Sequence, residues 1–543
     1  MNQKEWKNLL FPKGSPTADV VDVVDLRTAS SDTKLTAITL QGQINEGDRA
    51  KIYLLLREQD IFWLDWMKQK GYIKETNNLS IEEYIARYTK DTKSVVIYDP
   101  ELPSTINIAT MIASLNQGIV ISPKNMSEYS DNKSVSDLRG RWASNIDAYN
   151  WALENLWQDM NHNILACLQP DFIPHHLRDY LISNKVFTFW ITGKDKKDGI
   201  KSDYSKEREF AEKLFGISPT NIPVIGFWGS GGDDGITEYA GVGLAGEYGK
   251  ISVPCDWTTN MSFLSGVDVD FSALVDNYQK SLFNRQLTLD DSKIYISFDI
   301  VESGDAPVYW QGVQHGVWQD MKRGQIPIGW SLGPSAIELI PPIMAWFYEN
   351  ATPNDHFIMA MSGAGYVHPY RNFMSKVDDP DSAWQAYLGM TQQYMDFLNL
   401  NDIYLYTDAW REFDRDRHDP ITMKFVNNLN GLDNLILGMG RDEVITEKSP
   451  NYLMGKNNVL VSHIFTRWDT QNVRHRLENR QWLINEIRQN TPKYHPAFMH
   501  VHALSWGYYP SDLVAILDEL GEEYLAVTPK EMKQLYMKYV SGK

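Results

Sequence analysis

A (β/α)8-like barrel in residues 286–543, preceded by smaller α/β units, is the architecture this 543-residue sequence predicts, and three observations carry it. Eight short apolar runs recur through the last half of the chain: Ile294–Phe298, Ile326–Trp330, Phe357–Met361, Ile403–Tyr406, Leu435–Gly438, Val459–Ser462, Phe498–Val501 and Tyr524–Val527. Such runs, bounded by turn residues, read as buried parallel strands. Segments with one-face helical spacing separate most of them, and alternation of this kind predicts βα units. The residues just past the runs are rich in carboxylates, histidines and tryptophans, as at the carboxyl rim of a barrel.

Residues 1–125 read as a small α/β domain. Leu35–Leu40, Lys51–Leu56, Ser94–Tyr98 and Gly118–Ser122 are expected as buried strands, Asp60–Gly71 and Ile81–Tyr88 as helices, with Pro123 closing the unit. Residues 126–195 read as mainly helical, Asn145–Met160 most clearly, with one strand at Val186–Ile191 and an exposed turn at Lys194–Asp198. A third small α/β unit, 196–285, holds the strand Pro223–Trp228 and the glycine-rich loop Gly229–Gly235. That loop lacks the Gly-Lys-Ser/Thr of a phosphate-binding loop and the alternating acidic residues of a calcium loop. In 286–543, Trp384, Tyr387, Leu388, Met395 and Leu398 share one helix face, as do Leu513, Ile516, Leu517 and Leu520. Thr528-Pro-Lys-Glu531 is a capping box with proline at the first helical position. Arg441–Asn457 contains Pro450 and no helical period, so the barrel is expected to be irregular there.

A formal net charge of −18 argues against a nucleic-acid partner, whose phosphates attract Lys and Arg, and against an anionic membrane surface. With only Cys167 and Cys255, neither a disulfide framework nor a Cys-x-x-Cys metal pair is present. No apolar run approaches the length of a membrane span. Met1–Leu10 lacks a signal-peptide core, so a cytoplasmic protein is expected, or a secreted one if a leader has been removed. Nothing in the sequence calls for a cofactor or a metal. The 18 Trp and 28 Tyr are enough for large aromatic cores and also for the flat faces that pack on sugar rings.

The stretch Ser362-Gly-Ala-Gly-Tyr-Val-His-Pro369 is the strongest local signal. A buried strand stops at two glycines, which permit unusual backbone angles, and Tyr366 and His368 then offer a ring and hydrogen-bonding groups at the strand's end. This stretch resembles the motif of the GxGYxYP family of glycoside hydrolases, through Gly363, Gly365, Tyr366 and Pro369; His368 stands where the family's second Tyr is expected. Leu40–Asn45 resembles the family's LQGxxN segment, Tyr98-Asp-Pro100 and Asn107–Thr110 its YDP and NxAT elements, Gly304-Asp305 part of its DGDN element, and Arg323–Trp330 its RGxxPxGW element. Asp256-Trp257 and Asn260 belong to the same resemblance, which runs from about residue 35 to the C-terminus.

The resemblance implies hydrolysis of a carbohydrate. That chemistry ordinarily takes two carboxylates, one protonating the leaving oxygen and one activating water or attacking the anomeric carbon. Asp305 is the first candidate, in the retained part of the DGDN-like element, where Ser303 and Ala306 replace the first Asp and the Asn. Asp408 and Asp442, past the fourth and fifth runs, are its candidate partners. Tyr366, His368, Trp330, Trp410, His502, Trp506, Glu302 and Asp256 are the expected substrate contacts. Two alternatives remain at this level. A metal-dependent carbohydrate deacetylase would use Asp299, Asp305, His463 and His502, although the sequence has no His-x-x-x-His pair and no Asp-Asp dyad after the first run. A non-catalytic carbohydrate-binding protein would explain the altered DGDN element.

Overall fold

The computed structural model of the chain describes residues 6–129, 132–171, 175–193, 203–229, 236–283, 285–301, 307–407, 415–438, 451–464, 476–505 and 507–542. The chain forms two compact units, Asn8–Val269 with Ile337–Met344, and Asp270–Ala336 with Ala345–Lys543, the second also taking in Trp6 and Lys7.

The first unit contains three small parallel sheets among the described residues. β1 (Thr17–Asp25), β2 (Ala50–Leu55) and β3 (Glu75–Leu79) are ordered β2-β1-β3. β4 (Ser94–Ile97), β5 (Gly118–Ile121) and β6 (Ser134–Asp137) are ordered β5-β4-β6. β7 (Asn161–Cys167), β8 (Val186–Phe189), β9 (Pro223–Gly226) and β10 (Ile251–Pro254) are ordered β10-β9-β7-β8. Residues 126–195, expected to be mainly helical, therefore also carry β6 and β7. The exposed, polar edge strands β3 and β6 lack the apolar run that marks a strand in sequence.

One expected strand is a helix. Leu35–Leu40 lies inside the helix Ser31–Asn45, which Ser30 caps by accepting from the Thr33 N–H. The helix is buried over most of its surface, so its apolar residues form a run rather than a stripe. Its threonines, β-branched and strand-like in sequence, are accommodated by hydrogen bonding. The Thr39 hydroxyl donates to Leu35 O at 3.0 Å and accepts from Val120 N at 3.1 Å, and the Thr36 hydroxyl donates to Val120 O at 3.2 Å. The LQGxxN-like segment fixes this helix in place. A Cβ on Gly42 would meet Asp179 O at 2.5 Å, so only glycine allows the helix Arg178–Ser183 to approach. Asn45 bonds both Ile52 N and Ile52 O, while Gln41 reaches Asn260, which in turn brackets Leu54 N and O.

In the second unit all eight apolar runs become parallel strands: β11 (Ile294–Val301), β12 (Ile328–Leu332), β13 (Asp355–Met359), β14 (Asp402–Leu405), β15 (Asn434–Leu437), β17 (Val459–His463), β18 (Ala497–Leu504) and β19 (Tyr524–Ala526). One more strand, β16 (Asn451–Met454), pairs antiparallel with β17, in the stretch expected to be irregular; residues 441–450 of that stretch lie outside the described residues. The order β16-β17-β15-β14-β13-β12-β11-β18 describes a curled, largely parallel sheet. β19 does not take an eighth place beyond β18. It shares one edge of β11 with β12, pairing at Ile294–Ile296 while β12 pairs at Phe298–Ile300. A single parallel bridge, Ile464 to His500, links the end of β17 to β18.

The helices in this unit follow their sequence signals. Pro380–Leu398 starts at Asp379, whose carboxylate accepts from Ser382 N, and buries Trp384, Tyr387, Leu388, Met395 and Leu398. Pro529–Ser541 carries the expected capping box: Glu531 N donates to the Thr528 hydroxyl and Thr528 N to the Glu531 carboxylate. Arg285 closes on the same carboxylate with two hydrogen bonds, at 2.6 and 2.7 Å.

Candidate functional site

The pleat of β11 sets one side of its alternating residues, Ser297 and Asp299, toward the inside of the curled sheet. A Cβ on Gly329 of β12 would meet Asp299 Oδ1 at 2.3 Å, so the glycine of the RGxxPxGW-like element makes room for this carboxylate. Asp299 is fully buried and accepts three hydrogen bonds: from Ser297 Oγ at 3.1 Å, Tyr404 Oη at 3.1 Å and His500 Nδ1 at 3.0 Å. These partners come from β11, β14 and β18, so one carboxylate ties together three strands. The other ring nitrogen, His500 Nε2, is buried and has no hydrogen-bond partner. His502, two residues along the same face, is in register with Asp299.

The loop Ser362–Pro369 lies beside this cluster because it is bonded to β14 and the residue after it. Ser362 N donates to Tyr404 O at 2.7 Å, and Tyr406 N donates to Ser362 Oγ at 3.0 Å. Ser362 Oγ in turn donates to Val367 O, folding the loop back on itself. Gly363 has φ +116°, and a Cβ there would meet Thr391 Oγ1 at 2.6 Å. The Tyr387 hydroxyl and Thr391 hold the loop backbone from the neighbouring helix. Tyr366 and His368 are both 2% exposed, and each ring meets Tyr406, His368 stacking on it at 4.2 Å. An imidazole in place of the family's second tyrosine thus keeps a flat, stacked ring at this position.

Tyr366, His368 and His502 are therefore brought to the strand-end region of one sheet. Trp330 is a correction. The strand runs Ile328–Leu332, so Trp330 sits mid-strand, on the helix-facing side opposite to Gly329. It is fully buried, packs against Trp318 and donates its indole N–H to Asp355 Oδ1 at 2.9 Å. Arg323 bonds the same Asp355, so the RGxxPxGW-like element is largely a structural knot at the start of β13. Asp256 belongs to the first unit, where it is 3% exposed. Asp305, Asp408, Asp442, Glu302, Trp410 and Trp506 lie outside the described residues. So do residues 194–198 and 230–235, expected as a turn and a glycine-rich loop.

Tyr404 and His500 were not singled out by sequence reasoning, and Asp299 entered it only as a rim residue and a metal-set member. Their signal was available as polar residues alternating inside buried apolar strands, Ser297 and Asp299 in one and His500 and His502 in another. Among the described residues no three His, Cys, Asp or Glu side chains converge as a metal-holding group. No helix of the described residues is long and apolar enough to cross a membrane.

Burial dominates the electrostatics. It lowers His368 to about 3, with Arg371 adding to the effect, and His502 to about 4, partly offset by a hydrogen bond with the Val301 backbone. Both are neutral at pH 7. Asp402, at the start of β14, is pushed up to about 7 by burial, against the Asn434 amide that bonds it. For the histidines the unfolded chain binds protons first as pH falls below about 6.5, so their contribution to stability is lost from about 6.5 down to about 4 for His502 and about 3 for His368. Asp402 acts oppositely: the folded chain keeps its proton to higher pH, and that contribution is lost as pH rises toward 7. Among the described residues burial lowers six histidines and raises four carboxyls, so the histidine effect should win. Thermal melts are expected to fall between pH 6.5 and 4, and His368→Phe should flatten that slope; an unchanged slope would contradict the assignment.

Four family models match in sequence order: the GxGYxYP_N first domain at residues 20–90, the GxGYxYP_N second domain at 92–160, the GxGYxYP third domain at 162–266 and the GxGYxYP putative glycoside hydrolase C-terminal domain at 292–537. Comparison with curated proteins finds no match. Among solved structures, a putative hydrolase from Bacteroides thetaiotaomicron is similar, with TM-score 0.79 and 18% identity, over 97% of this chain and 96% of that one. At that identity the likeness speaks for the fold. A putative polysaccharide deacetylase from Mycobacterium smegmatis aligns over 47% of this chain and 95% of its own, with TM-score 0.31 and 8% identity.

Proposed function

The chain belongs to the GxGYxYP family, and from that premise we propose that it is a glycoside hydrolase working at the strand-end face of a barrel-like C-terminal sheet. The observation that carries this reading is the polar layer of Asp299, Tyr404, His500 and His502 inside that sheet, beside the aromatic loop of Tyr366 and His368. β11, with Asp299, leads directly into the segment holding Glu302 and Asp305, and β14, with Tyr404, leads into the segment holding Asp408 and Trp410.

In this proposal Asp305 and either Asp408 or Asp442 form the carboxylate pair. A separation of roughly 5–5.5 Å would give retention of anomeric configuration and roughly 6.5–9.5 Å inversion. Tyr366, His368, Trp410, Trp506, His502 and Glu302 are the proposed contacts with the saccharide. Asp299 acts behind them as a positioning residue, holding β11, β14 and β18 in register beneath the loops.

Turnover of aryl glycosides and oligosaccharides by the wild type and by Asp305→Asn tests the reading. Asp305→Asn is expected to lower kcat by about 100-fold or more while leaving saccharide binding nearly unchanged, because the lost interaction belongs to the transition state. Full activity in Asp305→Asn would overturn the assignment. Saccharide binding by the wild type without product would favour a binding protein.

A further inference from the structure

The base of β14 carries a carboxyl that the proposed reaction does not use. Asp402 opens this strand and stands in parallel register with Asn434, the first residue of β15. Asn434 Nδ2 donates to Asp402 Oδ1 at 2.5 Å, and among the described residues the Asp402 side chain accepts no other hydrogen bond. Asn434 is fully buried, and its Oδ1 has no hydrogen-bond partner. Buried polar atoms ordinarily find partners. An amide end offers one N–H side and one C=O. A protonated carboxyl offers one O–H and one C=O, so the two ends can pair twice; an ionised carboxyl, which only accepts, can pair with the amide once.

The titratable groups around Asp402 are Asp433 beside Asn434, Lys533 of the helix Pro529–Ser541, His500 of β18 and Tyr278 of the helix Phe271–Ser281. The two cationic candidates are engaged elsewhere. Lys533 Nζ lies 2.6 Å from Asp433 Oδ1, and His500 Nδ1 lies 3.0 Å from Asp299 Oδ2. The Tyr278 hydroxyl donates to Asp355 O. An ionised Asp402 would therefore have a single amide donor and a second carboxylate near it. Burial opposes the charge as well and pushes the group up to about 7, against the Asn434 bond and the weaker pull of His500 and Lys533. The protonated form fits the same surroundings better, because its O–H supplies the donor that Asn434 Oδ1 lacks.

We infer that protonated Asp402 and Asn434 close a two-bond carboxyl–amide pair that acts as a pH-sensitive latch between β14 and β15. Asn434 N–H donates to the Asp402 carbonyl, and the Asp402 O–H donates to Asn434 Oδ1. Asp402 is only partly buried as a residue, so its proton can pass to solvent. Its loss removes the second bond and leaves a carboxylate facing an amide oxygen and Asp433. β14 also carries Tyr404, which bonds Asp299 at 3.1 Å, and it leads toward Asp408. The latch thus fastens the base of a strand whose far end enters the proposed site, but it does not depend on the proposed hydrolysis.

Infrared titration of the full chain with isotope-labelled aspartate, compared between wild type and Asp402→Asn, tests the protonated acid. The wild type is expected to show a protonated-carboxyl carbonyl band that disappears with a midpoint of about 7 and that Asp402→Asn lacks. Amide hydrogen exchange, corrected for intrinsic rates, tests the latch. Opening frees the carboxyl to its ordinary low range, so protection of the β14 and β15 amides, relative to those of β12, should fall by about tenfold or more from about pH 5 to about pH 7 and level off above. An asparagine at 402 offers an N–H in place of the O–H, so Asp402→Asn should hold its relative protection across that range. Should Asp402→Asn fail to fold, the wild-type exchange slope decides. A wild type with no acid carbonyl titrating near neutral pH, or with relative protection that does not fall, overturns the latch, as does an equal fall in Asp402→Asn. None of these readouts requires turnover, so they are separate from the test of hydrolysis.

Discussion

Asp299→Ala is expected to destabilise the C-terminal unit by about 3–5 kcal/mol, because it takes the acceptor from three buried donors, each costing about 1–3 kcal/mol when left unsatisfied. The carboxylate is fully buried and takes donors from Ser297, Tyr404 and His500. Its loss strands three donors at once and opens a space against Gly329. Asp299→Asn keeps the shape and one acceptor oxygen, so its cost should be nearer about 1–3 kcal/mol. Hydrogen exchange at the β11 and β18 amides is the appropriate readout, because a chain with two compact units need not unfold in one step. Protection there should fall sharply in Asp299→Ala and less in Asp299→Asn. Equal protection in wild type and Asp299→Ala would show that the network contributes little.

Gly363→Ala is expected to cost about 2–4 kcal/mol, from a backbone conformation that L residues rarely adopt together with a steric clash. At φ +116° the new Cβ would sit 2.6 Å from Thr391 Oγ1 and 3.3 Å from the Tyr387 hydroxyl. Both groups hold the loop, Thr391 through Ala364 N and Tyr387 through Ser362 O. The damage should therefore reach Tyr366 and His368, and through Ser362 the end of β14. A Gly363→Ala chain with wild-type thermal stability would remove the structural explanation of the motif's first glycine.

The strands of the second unit were legible because buried parallel strands are apolar on both faces and stand out as runs. The same rule misread Leu35–Leu40, where a helix buried nearly all round gives an equally continuous run. Which edge of β11 the last strand would take was not written locally, since pairing partners lie hundreds of residues apart. The place of Tyr366 and His368, in a loop past the end of β13, was legible from the glycines before them. Trp330 was not, because reading the strand as Ile326–Trp330 placed at its end a residue that the real strand, Ile328–Leu332, holds at its middle. A shift of two residues leaves the face unchanged but moves the apparent strand end, and so turned a core tryptophan into an apparent rim residue. Asp299 and His500 were hidden by apolar neighbours, although their alternation with Ser297 and His502 marked one polar face.

The central claim is that the polar layer of the C-terminal sheet underlies a hydrolytic site for glycosides. Release of new reducing ends from an oligosaccharide panel, followed for wild type, Asp305→Asn and Asp299→Asn, tests it most directly. The account predicts release by the wild type, loss of about 100-fold or more in Asp305→Asn with binding retained, and a lower rate in Asp299→Asn. Release by the wild type that persists undiminished in both variants would contradict it.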